Sequence, residues 1–138
     1  MTVSDDDVSN VVWQWVQKAE NDLRTAAHTL KLGKDCPTDI VCFHAQQCVE
    51  KYLKAVLVQQ RVDFPRSHHI NILIRLLPTP IRIDLTPEEQ ERLTDYAVSA
   101  RYPGDYDPIT LTEARQAVRI ARRVRNQMRL WLPKRHAV

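Results

Sequence analysis

The stretch that decides the fold is Asp39 to Gln60, DIVCFHAQQCVEKYLKAVLVQQ. Wound at about 100° per residue, it gathers Val41, Cys42, Ala45, Cys48, Val49, Tyr52, Leu53, Ala55, Val56 and Leu57 onto one broad apolar arc. The strip left over carries His44, Gln47, Glu50, Lys51 and Lys54. A helix on a protein surface buries a stripe of about 100°. An arc much wider than that needs neighbours on more than one side. The stretch therefore predicts the central helix of a bundle, with one narrow polar face.

Upstream, Val8, Val12, Trp15, Ala19, Leu23, Ala26 and Leu30 recur at three- and four-residue spacing, which predicts a first helix from Asp7 to Leu32. Ser4 with Asp7 offers a cap, and Gly33 a stop. Asp35-Cys36-Pro37-Thr38 is long enough only for a turn, so the first two helices form an antiparallel hairpin. Downstream, Pro65 breaks the pattern. Ser67 is a suitable cap for a short helix from His68 to Leu77, with Ile70, Leu73, Ile74 and Leu77 inward. Pro78 and Pro80 end it. Thr86-Pro87-Glu88-Glu89 then combines a cap threonine, a first-turn proline and a capping-box glutamate, starting a fourth helix through Ala100. Two prolines and a glycine interrupt Arg101 to Pro108. Thr110 with Glu113 caps a last helix carrying Ala114, Ala117, Ala121, Val124, Met128 and Trp131 inward. No segment reads as a strand. The expected fold is all-α, an antiparallel up-and-down four-helix bundle with an additional short helix, formed as one domain over residues 1–138.

Composition agrees. The chain has 138 residues, 43% hydrophobic and 27% charged, and only two glycines, which favours helix over sheet. Cys36, Cys42 and Cys48 are odd in number and form no CxxC pair, which argues against a disulfide framework or a zinc cage. They read as small buried apolar residues in a reducing cytoplasm. No apolar run of about 18 residues is present to span a membrane, and the acidic start (Asp5, Asp6, Asp7) lacks a signal-peptide pattern. His28, His44, His68 and His69 have no metal-ligand spacing, and nothing calls for a cofactor. The net charge is +3 but uneven: from Leu111 to Val138 there are eight Arg or Lys residues against one acid, Glu113. Arg115, Arg119, Arg122 and Arg129 follow one helix face with Asn126 between them. That face is either a solvated one or a surface for RNA or an acidic protein.

Trp15 with Lys18-Ala19-Glu20-Asn21-Asp22-Leu23, Phe43-His44-Ala45-Gln46-Gln47 with Glu50-Lys51-Tyr52-Leu53-Lys54-Ala55, Pro65-Arg66-Ser67-His68, and Ala100-Arg101-Tyr102-Pro103-Gly104-Asp105 occur in that order. This ordered set resembles the HEPN domain family, small prokaryotic helical bundles often encoded beside a minimal nucleotidyltransferase. The resemblance implies a homodimer and a nucleotide- or RNA-associated partner of such a transferase, in a toxin–antitoxin-like module. It implies an alternative as well, since many members resemble metal-independent RNases using an arginine and a histidine four to six residues later. A guanidinium neutralises the scissile phosphate, and an imidazole takes the proton of the attacking 2′-hydroxyl. Here Arg101 stands at the family's arginine position, but Tyr106-Asp107-Pro108 follows it with no histidine. His68 is the histidine that another element could supply.

The matches Arg61 to His68 and Arg129 to His136 are of the number chance supplies in an arginine-rich chain. On this reading Arg101 and His68 are the catalytic candidates. Arg101 and Tyr102 contact phosphate and base, and His44, Gln47, Lys51 and Lys54 form a polar wall for nucleotide or RNA. The bland counterparts are a helix-capping arginine, a histidine in local capping geometry, and a solvated strip with Glu50 and Lys54 as an i,i+4 pair. A purely structural adaptor is the third reading.

Overall fold

The computed structural model describes residues 3–98 and 108–135. Five α-helices follow in order: α1 Asp5–Thr29, α2 Thr38–Gln59, α3 Ile70–Arg75, α4 Pro87–Val98 and α5 Leu111–Met128. Short 3-10 stretches, Leu30–Asp35 and Arg129–Trp131, follow α1 and α5. The result is an all-helical bundle of four longer helices and one short one, with no strand among the described residues.

The central rod is α2. It packs against α1, α3, α4 and α5, while α1 also touches α5, and α3 touches α4. All ten residues of its predicted apolar arc are inaccessible to solvent. Burial on that scale contributes about 25 cal/mol per Å² of apolar surface removed from water, which explains why this helix organises its neighbours. On α1 the buried stripe is Val8, Val12, Val16, Ala19, Leu23 and Ala26. Trp15, expected in the stripe, is only half buried and packs edge-on against Phe64, with ring centroids 6.4 Å apart. Cys36, Cys42 and Cys48 are buried and free. Burial pushes the Cys42 thiol up to about 12 and raises those of Cys48 and Cys36.

The caps formed as the local sequence dictates. Ser4 Oγ accepts from the Asp7 N–H (3.1 Å), and Thr110 Oγ1 from the Glu113 N–H (3.1 Å). At α4 the box is reciprocal. The Glu89 N–H donates to Thr86 Oγ1 (3.1 Å), and the Thr86 N–H donates to Glu89 Oε1 (3.0 Å). Gly33 sits at φ +61°, where a side chain would be strained, and turns the chain out of the 3-10 stretch.

Two boundaries differ from expectation. α1 starts at Asp5 and gives way to 3-10 geometry after Thr29, short of Leu32. α3 is shorter than the predicted His68–Leu77 because Ser67 spends its hydroxyl on a turn. Its Oγ accepts from the His69 N–H only two residues on (3.0 Å), so the helix begins after it. The Ile70 N–H is then satisfied from α4, by Thr94 Oγ1 at 3.1 Å. Of the predicted helix through Ala100, Ser99 and Ala100 lie outside the described residues.

Two outcomes follow for stability. Leu53→Ala, at a fully buried site, lowers unfolding free energy by about 2–5 kcal/mol in urea titrations. For Glu89, burial acts to raise its carboxyl, but the Thr86 N–H and Arg123 (2.7 Å) outweigh it, so the group titrates below its ordinary range. A depressed folded value stabilises above the unfolded value of about 4.3, and that stability is lost as pH falls through the folded value. The stability gap between the wild type and Glu89→Gln is therefore full near neutrality. It closes in acid, as equilibrium unfolding at stepped pH will read.

Candidate functional site

The polar strip of α2 is not a solvated face. Its side chains divide between two carboxylates held in or beside the core. The first is Asp22 on α1, 8% exposed. Its Oδ1 lies 2.8 Å from His44 Nδ1, and its Oδ2 accepts from Lys51 Nζ at 2.5 Å. The second is Glu50, 3% exposed. Its Oε1 accepts from Gln46 Nε2 (3.0 Å) and meets His68 Nδ1 (2.8 Å), while Oε2 accepts from Lys54 Nζ (3.1 Å). Gln47 Nε2 donates to Gln46 Oε1 at 2.6 Å, joining the middle of the strip to the Glu50 cluster.

A carboxylate can only accept, so each histidine donates from Nδ1, and in the neutral ring the lone pair is then on Nε2. Both imidazoles are thus held in one tautomer by a buried acid, the arrangement that orients a general base or a hydrogen-bond acceptor. They differ in access: the His68 side chain is 55% exposed and that of His44 28%. Phe43 packs edge-on against His44, centroids 5.5 Å apart, and is itself partly exposed.

The two lysines differ likewise. Lys51 reaches Asp22 from a partly open position. Lys54 is buried, paired with Glu50, and its ammonium lies 5.5 Å from the Trp15 ring centroid and 5.8 Å from that of Phe64. An ammonium with one carboxylate and two aromatic faces is consumed by the fold. Lys54 therefore fastens the end of the strip to α1 and to the chain leaving α2, while Lys51 keeps more freedom.

Of the residues named from sequence, the structure brings His44 and Lys51 together on Asp22, and Gln47, Lys54 and His68 into the separate Glu50 cluster. Arg101 and Tyr102 lie outside the described residues. The Arg61-to-His68 match is not a unit. Arg61, at φ +56°, donates to the Val3 carbonyl (2.9 Å) and Asp5 Oδ1 (2.8 Å), while His68 goes to Glu50. For the other match, Arg129 bonds Glu20, and His136 is outside the described residues. No group of three or more metal-ligating side chains occurs among the described residues. On α5, Arg115, Arg119 and Arg122 are exposed as expected, whereas Arg129 joins Arg125 on Glu20 and Arg123 holds Glu89.

Sequence reasoning missed Asp22 and Gln46. Asp22 had a readable signal, an acid directly against Leu23 at the edge of an apolar stripe. Gln46 had none, since its burial depends on which helices surround α2.

A family model described as HEPN domain matches residues 12–131. MJ1304 of Methanocaldococcus jannaschii, a protein named as a candidate toxin, is 32% identical over 100 residues, which span 67% of this chain and 63% of that relative's length. Two solved structures share the fold. TT1696 from Thermus thermophilus superposes with a TM-score of 0.72 at 27% identity. ST0689, an archaeal HEPN homologue, does so with 0.67 at 26%. Each comparison covers 88% of this chain and 98% of the other.

Removing one partner of a buried ion pair leaves an uncompensated charge, at a cost of about 3–5 kcal/mol. Glu50→Ala is accordingly expected to lose that much stability in denaturant titrations. Glu50→Ala combined with Lys54→Met is expected to recover a substantial part of the loss, because no charge is then stranded. Additive losses would show that the two side chains do not act as a pair.

Proposed function

The chain belongs to the HEPN domain family, and from that premise we propose that it is a nucleotide- or RNA-associated partner of a minimal nucleotidyltransferase in a toxin–antitoxin-like module. In this reading the chain acts as one domain, forms a homodimer, and works in the cytoplasm, where its free thiols stay reduced. The observation that carries it is the α2 strip. His44 and Lys51 share Asp22, and His68 is held by Glu50, so imidazole and ammonium donors line one face on a buried acidic frame. That set fits an anionic ligand with hydrogen-bonding edges. The similarity to MJ1304, a candidate toxin, supports the module.

One observation favours a second reading, a metal-independent endoribonuclease. His68 is half exposed, and Glu50 fixes its Nδ1 as the donor, leaving Nε2 to take a proton. In that chemistry Nε2 removes the proton of a ribose 2′-hydroxyl, and the 2′-oxygen attacks phosphorus. The 5′-oxygen then leaves with a proton from the medium or the imidazolium. The products are a 2′,3′-cyclic phosphate and a 5′-hydroxyl end. Arg101 is the cation this reading assigns to the phosphate.

Incubating the purified protein with RNA in chelator separates the two. The first reading expects retention of RNA or nucleotide without cleavage, weakened several-fold by Lys51→Gln. It also expects co-purification with a nucleotidyltransferase encoded next to it. The second expects cyclic-phosphate ends that vanish in Arg101→Ala and in His68→Asn. Absence of binding, cleavage and association together would leave neither standing.

A further inference from the structure

A second polar feature lies on the outer face of α1. Trp13 and Asp22 are nine residues apart, about 180° on the helical wheel. Trp13 thus stands at the far edge of α1 from Asp22, and the groove built on it crosses the outer face of the helix to Lys18, one turn before Asp22. It is an open groove of about 640 Å³ between α1 and the returning chain at Arg135. The carboxamides Asn10, Gln14, Gln17 and Asn21 line it at three- and four-residue spacing. Lys18 and Arg135 are its charged groups, and no carboxylate lines it among the described residues. The Arg135 guanidinium lies 5.4 Å from the Trp13 ring centroid. The indole N–H of Trp13 is buried and has no acceptor among the described residues.

Each component selects one property of a ligand. Two cations with no opposing acid select an anion. An indole face already covered by a planar cation is a platform that a flat ring can take instead. Such a ring would release Arg135 toward a phosphate, where its planar fork makes paired hydrogen bonds. A carboxamide presents a donor beside an acceptor, the complement of adenine's N7 and N6. Gln17 and Asn21 already bond each other at 3.3 Å, which leaves Asn10 and Gln14 for the base edge.

We propose that this groove is a second ligand site and that it takes an adenine nucleotide: the base on Trp13 against Asn10 and Gln14, the phosphate on Lys18 and Arg135. The adenosine phosphate is either free AMP or one residue of single-stranded RNA. The proposal does not rest on the reading of the α2 strip, and either can fail alone.

The test uses the full chain and its three tryptophan indole N–H resonances, that of Trp13 assigned by its loss in Trp13→Phe. Titration with AMP, or with a hexamer of adenosine, is expected to shift the Trp13 signal and leave those of Trp15 and Trp131 in place. Trp13→Ala should weaken binding about tenfold and Gln14→Ala about fivefold, while Arg135→Gln weakens AMP but not adenosine. The shift of the Trp13 signal itself with AMP should persist in Lys51→Gln and His44→Asn, which change only the other cluster. A response to the hexamer alone assigns the site to RNA, and a response to AMP alone assigns it to the free nucleotide. Three results overturn the proposal: no shift with either probe, equal binding of ribose 5-phosphate, or loss of the AMP shift in the α2 variants with none in Gln14→Ala and Arg135→Gln.

Discussion

A carboxylate in the middle of the bundle constrains everything around it. Glu50 is almost completely buried on the helix that every other helix touches. A bare carboxylate there would cost several kcal/mol, so its surroundings must provide donors. They come from three places: Gln46 one turn back, Lys54 one turn on, and His68 from the chain beyond the end of α2. The first two need only that α2 be helical. The third requires the segment from Arg61 to Ser67 to bring the chain back alongside its own helix. The left-handed turn at Arg61 and the tight turn at Ser67 belong to that return. The acid thus ties local helix geometry to the path of the connection that follows.

Such a cluster is a poor device for stability alone. An apolar replacement of similar volume is often neutral or better than a buried ion pair. What Glu50 adds is definition: one position for Lys54 between two aromatic rings, and one tautomer for His68. Asp22 does the same for His44 and Lys51 from the facing helix. The acids belong to the core and the groups they orient reach toward the surface, the layering expected of a preorganised site.

What the sequence revealed divides along the same line. The apolar arc of α2, the helix order and the capping boxes at Thr86 and Thr110 depend on neighbours in the chain, and they were legible. The short helix was misjudged at its start because Ser67 can close either a helix or a turn, and which one wins depends on Thr94 of another helix offering its hydroxyl to Ile70. The strip was recognised as polar, but Glu50 and Lys54 resemble any exposed i,i+4 pair. Only the aromatic pair of Trp15 and Phe64 closing over Lys54 makes them interior, and that is a tertiary fact. The basic helix was partly misread for the same reason. Arg129, grouped by its spacing with Arg115, Arg119 and Arg122, instead joins Arg125 as a strut to Glu20, and Arg123, off that face, holds Glu89.

The placement of α1 draws these observations together. One side of it lies in the apolar seam with α2, and at the edge of that seam Asp22 orients His44 and Lys51. The outer face carries the row of carboxamides, and along the other edge of the seam, in line with Trp13, Glu20 receives Arg125 and Arg129 from the last helix and the turn after it. A helix pinned by apolar contact along one side and by a shared ion pair along another has little freedom to roll. Its polar edge and outer face therefore keep fixed directions relative to the bundle. The positions of His44, Lys51 and Trp13 follow from how the core packs, because each is carried by a helix that the core immobilises or by an acid that the core buries.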